Sequence, residues 1–261
     1  MSGPIALHGG GEFQAGDEPF LRRLLELAVA AAASRDATVR DPIRIVIVPT
    51  AAARGQPSLV GAHGTEAFER VGASDPTAVI AMRVEVVPVV DAASAADPAF
   101  VTCLGAADLI HLPGGEPDLI PSILPGTAAW AAILGAHRRG AVLAGASAGA
   151  MALAPWTWTP SGGMAGLDLV AGLVVAPHAD PASWASAIER FRSWLPTGLG
   201  LLGVTERTGV ISSPGSPGTE AAEPADWDVV GEGEARWLAP GADPASTLVV
   251  GAGGRLRLPG V

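Results

Sequence analysis

The strongest constraint on the fold is an alternation that runs from Ile5 to Ala144. Short, strand-like apolar runs are separated by Ala- and Leu-rich stretches at helical spacing. The runs are Ile5–His8, Ile43–Val48, Val84–Val90, Leu109–Leu112 and Ala141–Ala144. Between the first two, Glu18–Ala33 places Leu21, Leu24, Leu25 and Ala28 on one helical face. Helices are also predicted around Thr65–Val71, over Pro98–Leu104 and over Thr127–Arg138. Ile43–Val48 is almost continuously apolar, as a strand buried on both faces of a parallel sheet should be. Strands spaced by helices of this size imply βαβ units. The expected fold class is α/β: a doubly wound, mostly parallel sheet with helices on both faces.

The last third changes character. Leu173–Ala176 and Leu201–Thr205 are predicted strands, with Ser183–Trp194 a helix between them. From Val210 onward, short strands are broken by Gly and Pro. Val229-Val230, Ala235–Leu238 and Leu248–Val250 are expected to extend the sheet as antiparallel edge strands. Ser212–Pro224, rich in Ser, Pro and Gly, is expected to be a mobile loop. No repeat and no boundary is visible, so residues 1–261 are expected to form one domain, with 210–261 a C-terminal strand extension. Ala141–Met164 is the longest uncharged stretch, but Gly, Ser, Pro155 and Pro160 interrupt it. It reads as a buried strand, a turn and a short helix, not a membrane span.

Composition narrows the function classes. Hydrophobic residues make up 49% and charged residues 16%, which excludes disorder for most of the chain. The formal charge is −10, and no Lys is present. Its scattered Arg residues form no basic footprint, so neither nucleic acid nor anionic membrane is expected as a partner. Cys103 is the only cysteine, which excludes an intrachain disulfide and a Cys-based metal site. No His/Asp/Glu cluster at ligand spacing and no G-x-G-x-x-G occurs, so no metal or organic cofactor is expected. Met1–His8 shows no secretory pattern, and a cytoplasmic location is expected.

One motif carries chemistry. Gly145-Ala146-Ser147-Ala148-Gly149 fits the G-x-S-x-G nucleophile elbow, between a strand and a helix-compatible run. Small flanking residues let the turn close and expose the hydroxyl, and the Ala148 amide then faces a developing oxyanion. The bland reading is a small-residue turn with Ser147 as a helix cap. A nucleophilic serine needs a base. His8 and His111 end predicted strands, His63 lies in a Gly-flanked loop, and His137 beside Arg138-Arg139 reads as solvated. His178 follows a strand in a loop, where open α/β sheets place their ligands. It could equally be a loop histidine bonded to Asp180. Glu206 also ends a predicted strand, and on spacing alone it reads as a solvated carboxylate. The Gly114-Gly115 pair after Leu109–Leu112 could bring a backbone amide to a substrate carbonyl, or be an ordinary tight turn.

Taken in order, these segments resemble the serine peptidases that include cyanophycinase and aspartyl dipeptidase (dipeptidase E), which share the class I glutamine amidotransferase fold. The resemblance rests on Gly9-Gly10-Gly11-Glu12, Ile45–Ala52, Leu112–Gly115, Gly145–Ala150, the segments ending at His178 and Glu206, and Trp227–Ala235. It implies Ser147 as nucleophile, His178 as base and Glu206 as its orienting acid. The amides of Gly115 and Ala148 would form the oxyanion hole, with Gly114 and Glu116 near the substrate. The order Ser, His, acid also differs from the α/β-hydrolase order. Arg54, in the loop after the second strand, is a candidate for a substrate carboxylate. There are departures. Ala176-Pro177 stand where cyanophycinases carry Asp-Gln, and Pro117 replaces a Gln after Glu116. These changes argue against cyanophycin as substrate and weaken the aspartyl preference. The expected activity is cleavage of small peptides, with an ester or acyl-transfer substrate, or a non-catalytic binding role, as alternatives. The expected partner is a small peptide or other acyl substrate; a homodimer stays open, with no interface located.

Overall fold

The computed structural model describes residues 2–35, 42–74, 80–213 and 225–259. Five strands correspond to the apolar runs: β1 (Ile5–His8), β2 (Ile43–Ile47), β3 (Met82–Val86), β4 (Leu109–Leu112) and β5 (Val142–Ala146); β3 starts two residues before the expected Val84–Val90 and ends at Val86, with Pro88 in the loop beyond it. They stand in the order β1-β5-β4-β2-β3, each parallel to its neighbour. All five carboxyl ends therefore open on one rim, the place where such sheets put their chemistry.

Alternation along the strands divides the core. Ile45, Ile47, Leu109 and Val142 face one side, packed with Phe20, Leu24, Phe68 and Val71. Those residues come from α1 (Glu18–Arg35) and α2 (Pro57–Ala73). Val46, Ile110 and Leu143 face the other side, with Leu104, Ile120, Trp130, Ile133 and Met151. These come from α3 (Pro98–Gly105), α4 (Leu119–Ile123), α5 (Ala128–Arg138) and α6 (Ala148–Leu153). Helix starts follow local chemistry: the Thr127 hydroxyl accepts the Trp130 amide, and the Asp97 carboxylate accepts that of Ala99.

The segment after α6 contains an unanticipated hairpin, β6 (Trp156–Thr159) with β7 (Gly162–Ala165). Its alternation of Trp and Thr is a period-2 signal, with Thr157 and Thr159 buried. The C-terminal strands also divide differently from expectation. β8 (Leu173–Ala176), β9 (Gly200–Val204), β12 (Glu234–Leu238) and β13 (Leu248–Gly251) form a separate four-stranded sheet in the order β13-β12-β9-β8. Only β10 (Thr208–Ser212), β11 (Ala225–Gly231) and β14 (Arg255–Leu258) extend the large sheet, antiparallel beyond β1. Both expected edge strands therefore belong to the second sheet, where Leu248–Val250 lies on the edge strand β13 and Ala235–Leu238 on β12, an inner strand paired with β13 and β9. That sheet is buried twice over. Leu173, Val175, Leu202 and Val204 join the main core, whereas Val174, Ala176 and Leu201 pack on α7 (Trp184–Arg192) through Trp184, Ile188 and Phe191. The loop expected over Ser212–Pro224 lies outside the described residues from 214 onward. Among the described residues, no helix is long and apolar enough to cross a membrane.

Three histidines are buried: His8, His111 and His137. His137 was expected to be solvated, but it shares the inward face of α5 with Ile133 and Ala136, and its Nδ1 lies 3.2 Å from the Ala141 carbonyl. Arg138 and Arg139, which follow it, are exposed, but His137 is not. His111, on β4, is fully buried beside Phe13 and Phe68, and neither ring nitrogen has a partner among the described residues. Burial, with a smaller contribution from nearby His8, pushes its pKa down from 6.5 to about 3. The folded chain thus keeps His111 neutral where the unfolded chain protonates it. Its contribution to stability is complete above pH 6.5 and is lost as pH falls toward 3, at about 1.4 kcal/mol per pH unit. Urea unfolding of His111→Leu should show a shallower fall between pH 6 and 4 than wild type; identical slopes would remove His111 as the cause.

Candidate active site

Ser147 follows β5 directly and adopts φ 48° and ψ −112°, a sparsely populated region for a residue with a side chain. The turn closes because its neighbours lack side chains. A Cβ on Gly145 would lie 2.5 Å from the Gly149 backbone, and one on Gly149 would lie 2.0 Å from the Leu112 carbonyl oxygen. The Ser147 amide donates to the His8 carbonyl at 2.9 Å, tying the elbow to the end of β1. The Ser147 hydroxyl makes no helix cap, although it occupies the cap position of α6. It lies instead 3.0 Å from His178 Nε2.

His178 sits two residues past the end of β8, also with positive φ, at 53°. Its amide donates to the Gly9 carbonyl at 2.8 Å. Its Nδ1 lies 2.9 Å from Glu206 Oε1. Asp180 is engaged elsewhere: its carboxylate accepts the amides of Ala182 and Ser183, which hold its pKa down, and it opens α7. Glu206 lies in the turn between β9 and β10. A carboxylate can only accept, so Nδ1 carries the proton shared with Glu206. Nε2 is then free to accept from the Ser147 hydroxyl. Both His178 and Glu206 have about half of their side-chain surface exposed, so water reaches the pair until something covers it.

The Gly114–Glu116 loop leaves β4 beside the elbow. The Glu116 amide donates to the Ala51 carbonyl at 2.7 Å, and the Gly114 amide to the Glu12 carboxylate at 2.7 Å. A Cβ on Gly115 would meet the Ala51 carbonyl at 2.2 Å, and its φ is +152°, so this residue must be glycine. Gly115, Ser147, Ala148 and His178 together line a cavity of about 330 Å³. The first-turn amide of α6, on Ala148, has no intrahelical acceptor.

Of the other residues singled out in the sequence, Glu116 and Arg54 meet each other. Arg54 Nη1 lies 2.6 Å from Glu116 and 2.9 Å from Asp118, on the surface. Neither side chain lines the cavity. The arginine that does is Arg190. Ser183, Ser186, Ala187 and Arg190 face the cavity from α7 and its N-terminus, at spacings of three, four and seven. That stripe is a sequence signal that could have located Arg190. Its guanidinium lies 5.8 Å from the ring centroid of Trp158, which the β6–β7 hairpin supplies. A wider depression of about 710 Å³ adjoins His178 on its other side, among Asp180, Glu206, Glu232 and Glu234. Among the described residues, no group of three or more His, Cys, Asp or Glu side chains is placed to hold a metal ion.

The family model of peptidase family S51 matches residues 31–210, more than half of the chain. The chain belongs to peptidase family S51. This S51 member is a serine peptidase, a hydrolase. Among solved structures it is similar to a peptidase from an acI-B1 Actinobacterium, with a TM-score of 0.74 and 23% identity over 99% of this chain and 98% of that one. It is also similar to a putative peptidase E protein from Listeria monocytogenes EGD-e, with a TM-score of 0.57 and 16% identity over 83% of this chain and 96% of that one. At these identities the two structures speak for the fold of the S51 chain. No curated protein matches it.

Proposed function

We propose that this S51 peptidase cleaves short peptides with an acidic residue on the amino side of the scissile bond, using Ser147, His178 and Glu206. The observation that carries the reading is the unbroken hydrogen-bonded path from the Ser147 hydroxyl through the imidazole to Glu206, at 3.0 and 2.9 Å. It favours catalysis over a binding-only role. Ser147 Oγ attacks the peptide carbonyl while His178 Nε2 takes its proton. Glu206 holds the imidazole in the required tautomer and stabilises the imidazolium. The amides of Gly115 and Ala148 receive the negative oxygen, each contributing on the order of 3 kcal/mol to the transition state. His178 returns the proton to the leaving amine, and water then releases the acyl group.

The acidic preference rests on charge. Arg190 is presented on the wall of the Ser147 cavity, whereas the depression on the other side of His178 is lined by four carboxylates, Asp180, Glu206, Glu232 and Glu234, against one arginine, Arg207, itself paired with Glu232. A substrate carboxylate is attracted to the first and repelled by the second. Arg54 is already paired with Glu116 first and Asp118 second, which raises its pKa and leaves it little for substrate.

The test is a mass-spectrometric hydrolysis profile over short peptides with varied N-terminal residues, including α- and β-linked aspartyl forms. Peptides with N-terminal Asp or Glu should be cleaved fastest. Arg190→Ala should raise KM for them roughly tenfold with little change in kcat, and Arg54→Ala should not. Equal cleavage of acidic and apolar peptides, or an unchanged KM in Arg190→Ala, would remove the acidic preference. Turnover of esters alone would replace peptide cleavage with ester chemistry.

A further inference from the structure

The turn that follows β1 is bonded to three loops of the site. The Gly9 carbonyl accepts the His178 amide, and the Gly10 carbonyl accepts the Arg207 amide next to Glu206, both at 2.8 Å. The Glu12 carboxylate accepts the Gly114 amide at 2.7 Å, from 102 residues away in the chain. Three residues of the turn Gly9–Glu12 thus make one bond each, to the base loop, the acid loop and the Gly114–Glu116 loop. The turn is itself anchored. His8 Nε2 lies 3.0 Å from Asp17 Oδ1, both fully buried, and Asp17 Oδ2 accepts the Phe13 amide at 2.9 Å.

The bonds of the Gly114–Glu116 loop show what Glu12 holds in place. The amides on either side of Gly115 are occupied, one by Glu12 and one by Ala51. The Gly115 amide has no acceptor among the described residues, and Gly115 lines the cavity with Ser147. A Cβ added to Gly114 would fall 2.8 Å from Glu12 Oε1 and 3.0 Å from Ser147 Cβ, so the carboxylate reaches the loop right beside the nucleophile. Removing one clamp frees the peptide plane that carries the Gly115 amide to rotate.

We propose that Glu12 is a positioning residue of the oxyanion hole: by accepting the Gly114 amide, it keeps the Gly115 amide aimed at the acyl oxygen formed on Ser147. This rests on Ser147 as nucleophile and Gly115 as oxyanion donor. What Glu12 supplies is an acceptor at a fixed point. A side-chain amide oxygen of the same length supplies it too, and a methyl group does not.

The experiment measures the second-order rate at which a fluorophosphonate labels Ser147, read by intact-protein mass spectrometry. Ser147 Oγ bonds to phosphorus, fluoride leaves, His178 takes the hydroxyl proton, and the phosphonyl oxygen occupies the oxyanion position. Glu12→Ala should label roughly 10–100-fold more slowly than wild type, the scale of a displaced donor. Glu12→Gln should stay within about threefold of wild type. Labelling of Glu12→Ala at the wild-type rate overturns the proposal. So does a Glu12→Gln rate as low as that of Glu12→Ala, which would make charge rather than acceptance the cause. If Glu12→Ala does not fold, Glu12→Asp, whose acceptor is withdrawn by one methylene, takes its place with the same outcomes. Ser147→Ala runs alongside: if wild type labels no faster than Ser147→Ala, it is the nucleophile assignment that fails.

Discussion

Ser147→Ala should lower kcat by at least about 10⁴-fold and leave the fold unchanged. The loss is large because in the proposed mechanism the hydroxyl forms the acyl bond, and among the described residues its side-chain partner is His178 Nε2 at 3.0 Å. The fold is spared for a specific reason. A serine at a helix cap would cost about 1 kcal/mol on conversion to Ala, but Ser147 makes no cap bond, and its strained φ of 48° is equally strained for Ala. Melting temperature should therefore stay within about 2 °C of wild type, since 1 kcal/mol moves it by roughly 2–4 °C in a chain of this size. Adding His178→Ala should cost little further activity, because nucleophile and base act as one unit. Residual turnover should come from the oxyanion amides and binding alone. A Ser147→Ala protein that keeps more than about a tenth of wild-type kcat has its nucleophile elsewhere. The measurement is steady-state kinetics on the best peptide from the hydrolysis profile, with thermal melts of the same samples.

The parts of this site that could be read from sequence are the local ones. The elbow is a five-residue pattern with steric requirements that only small neighbours meet, and it stands between a strand and a helix as the pattern demands. The parallel strands were legible because each is a short apolar run with a helix before the next. His178 and Glu206 were placed at strand ends, and both lie at the carboxyl ends of β8 and β9. What escaped depends on pairing between distant segments. Nothing local in Ala235–Leu238 says whether it joins β10 or β9, since an apolar alternating strand fits either edge. The partner of Glu12 is the Gly114 amide, a backbone group that no residue type announces. The charges adjacent to His137 are no guide to its exposure. On a helix the guide is the residue one or two turns away, and Ile133 and Trp130, four and seven positions before His137, are both buried.

These long-range contacts also explain how the half-exposed hydrogen-bonded path from Ser147 through His178 to Glu206 holds its geometry. His178 and Glu206 are not buried against solvent, so packing of their side chains does not fix them. Their backbones are fixed instead. The His178 amide is bonded to Gly9 and the Arg207 amide to Gly10, while the second sheet that carries both loops has one face in the main core. Side-chain freedom is limited from below, which leaves the upper surface of the imidazole open to substrate. The fold thus spends its rigid elements on anchoring the loops and leaves the reacting atoms accessible.

Gly149→Ala tests that anchoring at its tightest point. Helix propensity alone predicts stabilisation by about 1 kcal/mol, because Gly149 lies within α6 and Ala is the better helix former. Sterics predict the opposite, and they win. The added Cβ would sit 2.0 Å from the Leu112 carbonyl oxygen and 2.9 Å from its carbonyl carbon, both backbone atoms of β4. Neither can turn aside as a flexible side chain could, so α6 and β4 must separate by about 1 Å or more. Forced overpacking of this kind costs typically 1–3 kcal/mol and occasionally more. A net destabilisation of about 3 kcal/mol is expected, seen as a melting temperature lowered by roughly 6–12 °C. Activity should fall as well, because Leu112 leads into the loop that carries Gly115, while Ser147 begins α6; widening their spacing moves the nucleophile away from the oxyanion amide. Gly135→Ala in α5 is the matched control. Its Cβ would meet only the mobile end of Arg139, at 3.4 Å, so there propensity should prevail and the protein should gain about 0.5–1 kcal/mol. If both variants shift stability in the same direction, the close approach of α6 to β4 is not what holds the elbow.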